Sequence, residues 1–183
     1  MNKIVRTLFL VCSTLGANIS QALPEDSLQA IEIEADSAFI DNDKGSAIYI
    51  GNVKVNQGTI LISANKLTIT SSNETNKYDK IYAKGTDTQV ANFSQQLTAS
   101  GDMIISRGNR IFYDSSQSIL EVEGESYIKR GEDEIMAHFI RYDMTTGTFE
   151  ARNKSKGSSE IKQNKKGRVS MTLQPQSEEP KAE

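Results

Sequence analysis

The stretch "DNDKG", Asp41 to Gly45, sets oxygen-bearing side chains at alternate positions ahead of a glycine, as a calcium loop begins. Such a loop closes with a bidentate Glu at its twelfth position, and here that position is Asn52. The stretch therefore reads as an Asp/Gly turn between strands. His138 is the only histidine, so neither a two-histidine metal site nor a Ser-His-Asp triad with a spare partner can be assembled. It reads as a surface or groove-rim residue. Glu121, Glu123, Glu132 and Glu134 could supply the two carboxylates of a glycosidase. They alternate with apolar residues, which puts them on the solvated faces of half-buried strands, and nothing separates them into an acid and a base. No GxxxxGK[ST] phosphate loop occurs anywhere. No enzyme activity, metal or other cofactor is expected, so any directional work must be driven by a partner.

Composition narrows the setting. Residues 1–22, "MNKIVRTLFLVCSTLGANISQA", carry Lys3 and Arg6, an apolar run from Thr7 to Leu15, and small residues at Ser20 and Ala22. That is the pattern of a secretory signal peptide cleaved before Leu23. The run is about half of the roughly 20 residues needed to cross a bilayer. Val11 stands before Cys12 where a lipoprotein signal wants a small residue, so lipidation is not expected. Cys12 is the only cysteine, and the mature chain folds on packing and hydrogen bonds without disulfides. A bacterial periplasmic protein fits these features. The formal net charge of −3 becomes more negative when Lys3 and Arg6 leave, which excludes nucleic-acid binding by charge. One domain is expected over residues 23–174, followed by a disordered tail at 175–183, "PQSEEPKAE".

The elements are strands. In "YIGNVKVNQGTILISANKLTI", Tyr49 to Ile69, apolar residues recur at every second position around a turn at Gln57-Gly58. The sequence also matches itself, without gaps, at one fixed offset. Phe39 falls on Phe112, Asp41 on Asp114, Gly51 on Gly124, Gly58 on Gly131 and Ala64 on Ala137. Two halves thus share one plan, with glycines at the corners where tight turns need positive φ. No helix longer than a turn is expected. Residues 71–80 read as a polar loop, and 81–104 are weakly patterned with Ile81, Ala83, Val90 and Phe93 as their buried members. Val169, Met171 and Leu173 alternate along a final strand, "RVSMTLQ".

Alternation assigns an inward face. In the first half it comprises Ile31, Ile33, Ile40, Tyr49, Val53 and Val55, then Ile60, Ile62, Ala64, Leu67 and Ile69. In the second it comprises Ile111, Tyr113, Val122 and Ile128, then Ile135, Ala137 and Ile140. There is no Trp and there are six Phe in the chain, so the interior is built mainly of Ile, Val, Leu and Ala. Alternation alone does not separate the wall of a groove from an ordinary core, and soluble proteins usually fill their interiors.

"IEIEAD" at Ile31 to Asp36, "GNVKVNQGTILISANKLTI" at Gly51 to Ile69 and "KGRVSMTLQPQ" at Lys166 to Gln176 resemble, in order and spacing, the OstA-like (LptA) family of periplasmic lipopolysaccharide transport proteins. The resemblance covers nearly all of the mature chain. It implies an all-β, V-shaped, twisted β-jelly roll of about sixteen antiparallel strands, open at both ends. It also implies lipopolysaccharide binding through the lipid A acyl chains, and copies stacked head to tail into a bridge between the membranes for outer-membrane assembly. The implied partners are LptC of the inner-membrane LptBFG complex and the N-terminal domain of LptD in the outer-membrane LptD-LptE translocon. Ile31, Ile33, Phe93 and Tyr113 match positions where the family's lipid contacts are thought to lie. The joint between copies is expected to use Ile31 and Ile33 of one copy with Val169, Met171 and Leu173 of another.

Two other readings compete. One is a structural β-solenoid module of the cell envelope that carries no lipid. The other is a relative of the same superfamily, an LptC-like subunit or a fragment like the translocon's N-terminal domain. The cleavable signal argues against the first of these relatives and the absence of a following membrane barrel against the second.

Overall fold

A computed structural model describes residues 26–71, 78–98, 101–153 and 168–173. Apart from a 3-10 turn at Asp26–Leu28, the elements there are twelve strands in one hydrogen-bonded sheet. They are β1 (Glu32–Glu34), β2 (Ser37–Asp41), β3 (Ser46–Gln57), β4 (Ile60–Ser71), β5 (Tyr78–Lys84) and β6 (Ala91–Gln96). The second half repeats the order with β7 (Met103–Gly108), β8 (Arg110–Asp114), β9 (Ile119–Arg130), β10 (Asp133–Asp143), β11 (Thr148–Arg152) and β12 (Ser170–Thr172). All pairings are antiparallel.

The four long strands each serve two layers. β4 pairs β6 through Leu61–Ser63 and β5 through Lys66–Ser71, on the same edge, and β9 divides between β8 and β7 in the same way. One layer therefore runs β1-β3-β4-β6-β7-β9-β10-β12, and the other runs β2-β3-β4-β5-β8-β9-β10-β11. Counting each long strand once per layer gives the sixteen that the resemblance implies. The layers face each other. The Phe93 ring on β6 packs 5.0 Å from the Tyr113 ring on β8, and the buried residues form one apolar cluster between the layers. This is a jelly roll, in which two sheets share one core.

A corner is needed where a strand passes from one layer to the other, and glycine supplies it. Gly51 has φ +82° and Gly124 has φ +77°, and each is followed by a non-glycine residue at positive φ, Asn52 and Glu125. The β3–β4 and β9–β10 registers shift at these points. The carbonyls of Gly51 and Gly124 accept from the backbone N–H of Asp36 (3.0 Å) and Asn109 (2.8 Å), which are themselves equivalent under the internal repeat. A bulge with a left-handed glycine bends a strand without breaking its pairing. The repeat legible in the glycines is thus a repeat of corners.

The polar turns follow the same plan. Asp41 Oδ1 accepts from the backbone N–H of Lys44 (3.1 Å), and Asp114 Oδ1 accepts from that of Gln117 (3.1 Å). The Asp41 carboxylate also binds the Lys44 ammonium at 2.7 Å, so "DNDKG" folds as a turn closed by its own lysine. Strand β5 begins at Tyr78, which corrects the expectation of a loop through residue 80: Asp79 is buried and Lys80 pairs with Asp114. Residues 81–104 hold the end of β5, all of β6 and the start of β7. Ile81, Ala83 and Phe93 are buried there, Ala91 and Ile104 join them, and Val90 is half-buried.

Candidate functional site

At the end of the sheet formed by β1 and β2 the two layers enclose a cavity of about 390 Å³. It is lined by Ile31, Ile33, Ile40, Tyr49, Ala47 and Ile69, with Asn42 and Tyr78 at its rim. Sequence parity places the apolar members on one face, because Ile33 lies opposite Val55, Ile40 opposite Ala47 and Tyr49 opposite Leu67. Ile40 is 55% exposed although it faces inward with the buried Ala47. β2 is the last strand of its layer, and nothing among the described residues lies beyond it. Four residues expected to line a groove, Ile31, Ile33, Ile40 and Tyr49, thus meet at one open end. Ala47 and Tyr78 were missed: the first is small, and the second sits in a stretch read as loop.

Behind this cavity the inward set continues along the whole molecule. Val53, Val55, Ile60, Ile62 and Leu67 from the first half are buried, as are Phe93, Tyr113, Val122, Ile128 and Ile135 further on. They belong to one contiguous cluster, with Ile31, Ile33 and Tyr49 packed against it. The apolar surface removed from water here is what holds the layers together.

The mouth between the layer tips is polar. A second cavity of about 400 Å³ is lined by Asp26, Gln95, Tyr113, Arg130, Tyr142 and Met144, among others. Asp26 accepts from the Thr59 backbone N–H and hydroxyl, both at 2.7 Å, and from Gln95 Nε2 at 2.9 Å. Its carboxylate fixes the 3-10 turn over the β3–β4 hairpin. Burial, and next the negative Asp26, push the Tyr113 hydroxyl up to about 12. The cross-section therefore runs from polar rim to apolar floor. No sequence pattern revealed the rim, since polar residues at strand ends resemble ordinary turn residues.

The carboxylates considered for catalysis lie outside the core, Glu132 exposed and the other three each near a cation. Arg141 stands 3.4 Å from Glu121, Arg110 2.9 Å from Glu123 and Lys129 3.5 Å from Glu134. The His138 side chain is exposed, while its backbone carbonyl accepts from the buried Ser126 hydroxyl at 2.9 Å. At the far end of the sheet Val169, Met171 and Leu173 are 40%, 47% and 63% exposed, and Met171 lies opposite Ile135. β1 and β12 are the two ends of one layer, so the residues expected at a joint between copies occupy opposite ends of the molecule.

The chain is a jelly roll whose apolar interior reaches an open end at β1 and β2. Residues 32–148 match the family described as "LptA/(LptD N-terminal domain) LPS transport protein", and the chain belongs to that family. It is 31% identical to the lipopolysaccharide export system protein LptA of Haemophilus influenzae, over 85% of this chain and 87% of the relative. It is 28% identical to the LptA of Escherichia coli K12 over 77% and 75%. Among solved structures, the crystal structure of LptH from Pseudomonas aeruginosa, described as the LptA-homologous periplasmic component of the lipopolysaccharide transport device, superposes with a TM-score of 0.70. That match has 24% identity and covers 83% of this chain and all of the other, which supports the fold.

Proposed function

We propose that the chain is a periplasmic carrier that holds the acyl chains of lipopolysaccharide between its two layers and passes them along copies joined end to end. The observation that carries this reading is the cavity at the β1–β2 end. Its apolar lining is continuous with the interior, and its volume of about 390 Å³ falls in the range of ligand sites. An acyl chain of a dozen carbons costs roughly 10 kcal/mol to expose to water, at about 0.8 kcal/mol per CH₂. A multi-chain lipid therefore needs an unbroken apolar path to cross an aqueous space.

Two sheet ends with unpaired strand edges support assembly. A contact between different surfaces of two copies does not close on itself and gives an open filament. The ends of such a filament would meet LptC of the inner-membrane complex and the N-terminal domain of LptD, and the family's description groups LptA with that LptD domain. Export would depend on residues 1–22, which lie outside the described residues together with the tail at 175–183. The test is to purify the protein from the envelope fraction of lipopolysaccharide-producing cells, extract it with organic solvent and weigh the extract. Lipid A species in near-stoichiometric amount are expected; an extract free of them would favour a scaffold without cargo.

A further inference from the structure

The layer that runs β2-β3-β4-β5-β8-β9-β10-β11 has an outer face that the interior does not use. Alternation puts Lys66, Lys84 and Arg110 on that face, because each adjoins a buried member of the core: Leu67, Ala83 and Ile111. Register then brings the three into one row. Lys66 lies directly opposite Lys84 across β4 and β5, and Lys84 directly opposite Arg110 across β5 and β8. Neighbouring strands are about 4.8 Å apart, and like charges directly opposite one another destabilise a sheet.

Only one end of that row is neutralised. Arg110 commits its fork to Glu123, its partner on β9, with Nη2 2.9 Å from Oε1 and Nε 3.2 Å from Oε2. Glu121, one row further along β9, stands 3.4 Å from Arg141. Among the described residues no carboxylate lies within ion-pair distance of Lys66 or Lys84. Two cations thus occupy adjacent strands without a counter-charge, in a chain whose formal net charge is −3.

The next row is aromatic. Tyr82 lies opposite Phe112, with ring centroids 4.7 Å apart and planes tilted by 32°. Tyr82 is 47% exposed, so the pair presents aromatic surface to solvent. Phe139 adds a floor: it is buried outside the interior cluster, and the Arg152 guanidinium lies 4.5 Å over its ring. These residues border a cavity of about 570 Å³, which the sheet separates from the interior. That volume falls in the range of small-molecule sites.

We infer that this outer cavity binds a phosphorylated saccharide, with Lys66 and Lys84 at its phosphate and Tyr82 and Phe112 against a sugar ring. Each part answers a different portion of such a ligand. A phosphate bound by both ammonium groups forms charge-assisted hydrogen bonds and removes the repulsion between β4 and β5. The electron-rich faces of aromatic rings attract the C–H face of a sugar. Glu121 and Glu123, held by their arginines, keep oxygen atoms that accept from hydroxyls. An acyl chain would leave the two cations unanswered. The inference does not rest on the carrier reading, which places lipid on the other side of this sheet.

Calorimetric titration of the purified chain tests it. The probes are fully deacylated lipopolysaccharide, which keeps phosphorylated sugars without acyl chains, the same material after phosphatase treatment, glucosamine 6-phosphate and inorganic phosphate. The first should bind, and Lys66→Gln combined with Lys84→Gln should weaken it at least about tenfold without lowering the urea midpoint. Phosphatase treatment should cause a loss of similar size, and Tyr82→Ala should weaken binding several-fold. Ile33→Asp, at the end cavity, should change nothing. Glucosamine 6-phosphate separates the two sources of this chemistry: binding as tight as that of the deacylated glycan assigns the site to free sugar phosphates, and weaker binding assigns it to a glycolipid headgroup. Absence of binding by both, binding unmoved by the lysine substitutions, or equal binding of inorganic phosphate overturns the inference. No probe carries an acyl chain, so such a failure leaves the carrier reading to its own test.

Discussion

Phe93 lies directly opposite Ser106 across the β6–β7 pairing, which together with the β5–β8 pairing joins the first six strands to the last six. Ser106 is fully buried, and its hydroxyl has no hydrogen-bond partner. A buried unpartnered hydroxyl costs about 1–3 kcal/mol. Ser106→Ala is therefore expected to raise stability by about 1 kcal/mol, read as a higher urea midpoint with an unchanged slope.

Gly51 tests the corner. A Cβ there would overlap the Asp36 carboxylate and force a side chain into φ +82°. Gly51→Ala should cost about 1–3 kcal/mol. Gly131→Ala, at φ +56° with open space around it, should cost about 1 kcal/mol and no more. Equal losses in denaturant melts would mean that the corner is not held by the approach of Asp36.

Ile62 and Ile33 share an inward face but differ in cover. Ile62 is 3% exposed, while Ile33 is half-buried beside the end cavity. Ile62→Asp should lose at least about 3 kcal/mol, because an unpaired carboxylate is forced into the dry interior. Ile33→Asp should fold with a nearly unchanged melt yet retain less lipopolysaccharide on co-purification.

Tyr113 sets a limit at high pH. Its folded-state value of about 12 stands above the ordinary 10.0, so its contribution is complete below about pH 10. It is lost as pH rises from about 10 through about 12, since the unfolded chain gives up the proton first. The difference corresponds to roughly 3 kcal/mol. Urea midpoints measured across that range should fall for the native chain and fall less steeply for Tyr113→Phe.

Strand content, the internal repeat and the inward face were legible because alternation and corner glycines are local features. Val53, Ile62, Val122 and Ile135 are buried as their parity predicts. What stayed hidden depends on distance in space. β6 and β12 are equivalent, but the step along the chain from Phe93 to Met171 is longer than that from Ile62 to Ile135, so a single offset passes over them. Ala91 is too small to mark a strand by hydrophobicity. The mouth held by Asp26, Thr59 and Gln95 is assembled from three separate elements and leaves no spacing to read.

The central claim is that lipid lies between the layers, and a photo-reactive residue placed on either face of one layer tests it most directly. Phe93 and Ile33 face inward, whereas Glu34 and Leu61 face outward and are exposed. In lipopolysaccharide-producing cells, irradiation should yield lipopolysaccharide adducts from positions 33 and 93 and little from 34 and 61. Adducts of equal yield from both faces, or none from positions 33 and 93, would contradict the account.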